Sequence, residues 1–117
     1  MHPDVIEEIE KEITLLRRRH AAFLREAPDV REVVVRWAAE AAGLCWFVPL
    51  EDVVEPDIDV EIAGEVFIVR AHRAWPEPAE LVGILPVPRG YDPEHPVIRF
   101  IEETLEVRIR RVRRGAA

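Results

Sequence analysis

At 117 residues, 49% of them hydrophobic and 33% charged, the chain has the makings of one folded domain, with or without an attached helical segment, and intrinsic disorder is excluded. A formal net charge of −7 argues against general nucleic-acid binding. Cys45 is the only cysteine, so no internal disulfide forms, and the longest apolar run, Ala41–Leu50, is too short to span a bilayer. The opening MHPDVIEEIEKE is acidic and periodic, unlike a secretory signal, which makes a reducing cytoplasm the expected setting.

The first half reads as helical. PDVIE at Pro3–Glu7 and PDVRE at Pro28–Glu32 each offer an Asp to cap free amides and a Glu three residues on to reach back. The first helix is expected over about Val5–Glu26. Ile6, Ile9, Ile13, Leu16, His20 and Phe23 make one apolar stripe; early glutamates and late arginines suit the helix dipole. The stripe either packs on the chain's own domain or serves as an oligomer contact. A second helix is expected over about Val30–Ala42, with Val30, Val33, Val34, Trp37 and Ala41 on its apolar face and Gly43 at its end. The β-branched run Val33–Val35 lowers helix propensity, so a strand at Val33–Trp37 stands as the alternative.

From Trp46 the texture becomes β. WFVPLEDVV reads as a strand that Pro49 places at an edge. DIDVEI alternates, with Ile58, Val60 and Ile62 on one face and Asp57, Asp59 and Glu61 on the other. Ala63–Gly64–Glu65 reads as a turn. VFIVR (Val66–Arg70) is apolar on both faces and reads as a central strand; LVGILPV (Leu81–Val87) is another, followed by a Pro-rich loop. Val97–Ile101 enters the last β region, where Leu105, Val107 and Ile109 alternate with charged residues. Short strands at this spacing predict an antiparallel sandwich.

The catalytic inventory is thin. The chain has no Ser, Asn or Gln, which removes a serine nucleophile and amide oxyanion donors, and Lys11 is its only lysine. His2, His20, His72 and His95 are scattered. Asp57, Asp59 and Glu61 lack the Gly-centred loop of a calcium site and read as a solvated face. Asp92 and Glu94 beside His95 read as turn-shaping acids, the tail RIRRVRRGAA is the one basic segment, and Trp75 reads as a lid on the core. No metal site, no cofactor and no enzymatic activity are expected.

The C-terminal half, from about Phe47 to Arg111, resembles the α-crystallin domain of the small heat shock proteins. VEIAGEVFIVRA (Val60–Ala71) is similar to the family's strand–Gly–strand hairpin, and Leu85–Pro86 to the Leu-Pro that ends a later strand. GYDPEHPVIRF resembles the loop leading into the next strand, ETLEVRIR (Glu103–Arg110) the strand that normally reads G-V-L-x-V-x-I-P, and PLEDVVE (Pro49–Glu55) the opening P-x-x-D-V-x-E. The chain departs from that pattern in four places. The family's signature Gly falls on Glu103. The stretch between PLEDVVE and DIDVEI is short. The link between VFIVR and LVGIL is too short for the strand exchange of bacterial members. The tail carries Val112 in place of an I-x-I anchor.

The expected architecture is therefore mainly β with N-terminal helices. A helical segment (residues 1–44) precedes an α-crystallin-like antiparallel β-sandwich (45–112) and a basic tail (113–117). The resemblance implies an ATP-independent chaperone that holds unfolding proteins by exposed apolar surface and works as a homo-oligomer, a dimer or larger. It also implies a peptide groove lined by Ile58, Val60 and Ile62 on one strand and Leu105, Val107 and Ile109 on the other; the alternative is that these six form the sandwich core. Ile9, Ile13, Leu16 and Phe23 of the first helix would contact clients or other subunits. A non-catalytic adaptor with one defined protein partner, similar to the CS-domain co-chaperones, is the rival expectation. No membrane partner is expected.

Overall fold

A computed structural model of the chain describes residues 3–20 and 30–112. Helix α1 spans Pro3–His20. The middle of its stripe is folded inward: Ile9 and Leu16 are buried and Ile13 packs against the core, while Ile6, Glu7, Glu8, Glu10, Arg17 and Arg18 are exposed. The remainder of the expected first helix, including Phe23, and the Asp29 cap lie outside the described residues, as does the tail from Arg113.

The second expected helix is absent. Its sequence forms two strands, β1 (Val30–Glu32) and β2 (Arg36–Glu40), joined by the crossing segment Val33–Val35. From Val33 to Glu40 half-buried and exposed residues alternate strictly, which is the period of an extended chain. The helical stripe seen in the sequence is a coincidence of spacing in a stretch whose β-branched valines are stiff in a helix and fit a pleat. Gly43, expected to end that helix, opens β3 (Gly43–Pro49) instead. It lies so close to β8 (Thr104–Arg110) that a methyl group there would sit 1.9 Å from the Ile109 carbonyl oxygen. The expected boundary between residues 44 and 45 thus falls inside a strand, and the sandwich begins at Val30.

The remaining strands are β4 (Ile58–Ala63), β5 (Val66–Arg73), β6 (Ala79–Pro86) and β7 (Val97–Ile101). They form two four-stranded sheets, ordered β1-β6-β5-β4 and β2-β3-β8-β7. All neighbours are antiparallel except β1 and β6, which run parallel, a departure from the wholly antiparallel expectation. β3 is an interior strand, not the edge strand that Pro49 predicted. Pro49 is its last residue, opposite Thr104, where a missing amide costs little.

The sheets meet through Trp46 on β3, edge-to-face with Phe67 on β5 at 6.1 Å and 69°. A methyl group on Gly83 of β6 would lie 3.2 Å from a Val48 methyl and 3.4 Å from those of Val33 and Val35. β6 therefore faces β3, with the crossing segment beside them. Leu44, Val48, Leu105, Val107 and Ile109 from one sheet and Val69, Ala71, Leu81 and Leu85 from the other complete the core, and no polar or charged residue among the described ones is buried. A second apolar cluster, Val66, Ile68, Val82 and Ile84, lies on the opposite face of β5 and β6.

Candidate functional site

A sandwich of two sheets has two seams where strand edges run side by side. Three residues join β1 to β2, so these two edges border the same seam. The other two edges, β4 and β7, must border the opposite one.

The β1/β2 seam is closed. The Val33 amide donates to the Val82 carbonyl at 2.9 Å, tying the crossing segment to β6. Helix α1 lies against β6 and places Ile9 in the core. The Glu12 carboxylate accepts from the Arg89 amide at 3.0 Å, and Arg17 pairs with Glu32. Between the helix and the seam remains a cavity of about 320 Å³ lined by Ile13, Val33, Val35, Trp37, Trp46 and Ile84.

The β4/β7 seam is open. On β4 the register pairs Ile58 with Ala71, Val60 with Val69 and Ile62 with Phe67, so all three side chains are on the core side of an edge strand. Ile58 and Val60 are half-buried and Ile62 is 50% exposed. On β7, Ile98 pairs with Val107 and Phe100 with Leu105, which puts them on the same inner side; Ile98 is 43% exposed and Phe100 half-buried. The result is an open apolar seam, here called the β4/β7 cleft, bounded by two strands whose outer edges pair with nothing among the described residues. Such edges offer backbone donors and acceptors to an incoming extended segment. On the outer side of β4, Asp59 and Glu61 are exposed, and the Glu61 carboxylate lies 3.4 Å from the Arg70 guanidinium on β5.

Of the six residues expected to line a groove, the structure gathers Ile58, Val60 and Ile62 at the cleft. Leu105, Val107 and Ile109 are buried on β8, an interior strand between β3 and β7, and act as core behind the cleft. The second lip is β7, with Ile98 and Phe100. The sequence carried a faint signal for it. VIRFI is apolar at four of its five positions, which hides its facing; only Arg99 marks the outer side. Of the helix residues, Ile9 and Ile13 pack into the chain's own sandwich and Leu16 is buried.

The other constellations resolve into structure. The Glu94 amide donates to the Asp92 carboxylate at 2.8 Å, a turn-forming contact. His72 Nδ1 lies 2.6 Å from the Glu80 carboxylate across β5 and β6. No cluster of three or more potential metal-ligating side chains occurs among the described residues. Trp75, expected to cover the core, is 72% exposed. Cys45 points away from the core, yet it is fully buried beside Arg108, which pairs with Glu40 at 3.1 Å and Glu106 at 2.5 Å. Burial pushes its thiol up to about 11. No helix among the described residues is long and apolar enough to cross a membrane.

Comparison with known proteins places this architecture. No family model and no curated protein sequence matches the chain. Solved structures do. HSP18.5 from E. histolytica superposes with a TM-score of 0.67 at 11% identity, covering 74% of this chain and 94% of that one. HspA from Xanthomonas axonopodis gives 0.61 at 16% identity, covering 74% and 98%. A point mutant of hsp14.1 from Sulfolobus solfataricus P2 gives 0.63 at 14% identity, covering 89% and 94%. The chain has the α-crystallin-like fold of the small heat shock proteins, as its strand motifs implied.

Proposed function

We propose that this protein is an ATP-independent chaperone of the small heat shock type, which holds extended apolar segments of unfolding proteins along the β4/β7 cleft. One observation carries the reading: two unpaired strand edges flank half-exposed Ile58, Val60, Ile62, Ile98 and Phe100, an apolar lining set beside free backbone hydrogen-bonding groups. Binding and release of this kind need neither a nucleophile nor a cofactor. The α-crystallin-like fold supports the reading without deciding it. Suppression of light scattering by a heated client, at a stoichiometric ratio and without nucleotide, tests it. Full aggregation of the client in the presence of this protein ends the holdase role.

A second reading, an adaptor for one protein partner, is favoured by α1. In the proposed chaperone assembly the Ile9–Leu16 stripe would be shared between subunits or offered to clients; here Ile9 belongs to the chain's own core and Ile13 packs against it. Mass by light scattering after size exclusion, at room temperature and under heating, separates the two. A large or heat-shifting assembly supports the holdase, and a constant monomer or dimer supports the adaptor.

A further inference from the structure

We propose that the β4 edge selects extended segments that alternate apolar residues with Lys or Arg, so that the cleft discriminates by charge as well as by hydrophobicity. This inference rests on the β4/β7 cleft being a peptide site.

The register dictates the pattern. A strand added to β4 places every second side chain in line with Ile58, Val60 and Ile62, where it enters the cleft and meets Ile98 and Phe100 from the other lip. The intervening side chains fall in line with Asp59 and Glu61, both exposed. Opposite charges that face each other across neighbouring strands attract, and like charges repel. Among the described residues the cation beside these acids is Arg70, on β5, on the far side of β4 from the incoming strand. Its guanidinium reaches back to lie 3.4 Å from the Glu61 carboxylate, so it offsets one of the two acids of this edge. Two carboxylates against one guanidinium leave the edge negative, with Asp59, which has no ion pair among the described residues, as its main charge. β4 is the template rather than β7 because it offers six residues and three core-side positions, against five and two. A strand added to β7 would meet Arg99 instead and carry the opposite preference.

The test uses the full chain and three short fluorescent peptides. One alternates isoleucine with arginine, one alternates isoleucine with glutamate, and one has the composition of the first in two blocks. Fluorescence anisotropy at low salt is expected to show the alternating basic peptide binding at least about fivefold tighter than either other peptide, with the gap closing at high salt. In the double variant Asp59→Lys, Glu61→Lys, with folding checked by circular dichroism, the preference inverts toward the glutamate peptide. Equal binding of the two alternating peptides overturns the charge inference and leaves the cleft standing. So does a basic preference that survives the double variant, or a block peptide that binds as well as the alternating one, since either marks non-specific attraction to an acidic protein. Failure of all three peptides to bind removes the peptide site itself and the inference with it.

Discussion

Along the β1/β2 side, the crossing valines and α1 cover the seam and leave a cavity of about 320 Å³ beneath the helix, whereas along the β4/β7 side nothing among the described residues covers it. Both seams are lined by the same kinds of side chain, valine, isoleucine and an aromatic. What differs is the chain's connectivity. The closed seam carries the only direct crossing from one sheet to the other through three residues, and the helix rests against it. The open seam is bounded by β4 and β7, each joined to its neighbour by a hairpin; the longer connections that enter them, from β3 and from β6, also pass between the sheets but pair with neither edge among the described residues. Apolar surface is thus spent on stability at one edge and left half-exposed at the other. Residues of the same chemistry should then answer to different measurements.

The largest effect belongs to the core behind both seams. Trp46→Ala is expected to cost about 3–5 kcal/mol in urea unfolding, because a fully buried indole leaves a cavity that rigid strands cannot close. On the closed seam, Ile9→Ala is expected to cost about 2–4 kcal/mol by the same measurement. A cost near zero would mean that α1 does not seal that seam in solution.

On the open seam the balance reverses. Ile62→Asp is expected to change stability by less than about 1 kcal/mol, since the side chain is already half in water, yet to abolish protection of a heated client. Loss of stability comparable to that of Ile9→Ala would erase the distinction between the seams.

Cys45 sharpens the comparison through pH. Its folded-state value of about 11 lies above the ordinary 9.0, so the native state holds the thiol proton more tightly than the unfolded chain. The associated stability is fully present below pH 9 and is lost as pH rises toward 11, which urea titrations at pH 8 and pH 10.5 check. At neutral pH the buried thiol is expected to react with a disulfide reagent only on opening of the fold. Ile9→Ala should speed that reaction and Ile62→Asp should not.

The smallest effect lies in a turn. Glu102 and Glu103 link β7 to β8, both with positive φ (48° and 63°), a conformation that glycine adopts without strain. The Glu103 carbonyl also accepts the Leu50 amide at 2.8 Å. Glu102→Gly is expected to stabilise the chain by about 0.5–1 kcal/mol in thermal unfolding while leaving both seams unchanged, whereas Glu103→Gly would also lose the bond its carboxylate accepts from the Asp52 amide at 3.2 Å.

How much of this was legible differed from place to place. The alternation of Ile58, Val60 and Ile62 with charged residues fixed the facing of β4, and the two-sided apolar run Val66–Arg70 marked an interior strand. The strand after Gly43 was misplaced at an edge because Pro49 sits at its last position, where proline is harmless. The stretch that suggests a second helix forms strands instead; Val30, Val33, Val34, Trp37 and Ala41 fall on one helical face by coincidence. Periodicity in so short a stretch satisfies both templates, and only the neighbours decide.

By itself, then, the sequence determined the first amphipathic helix, the inner faces of the alternating strands, and a strand order similar to an α-crystallin domain, while it wrongly offered a second helix. These are local properties, written in side-chain spacing and composition. Tertiary structure decided which strand lies at an edge, that β8 backs the cleft while β7 borders it, and that the helix seals one seam and leaves the other open. Edges and seams are relations between segments far apart in the chain, set by which sheet each strand joins, and an alternating pattern states only that one face must be covered.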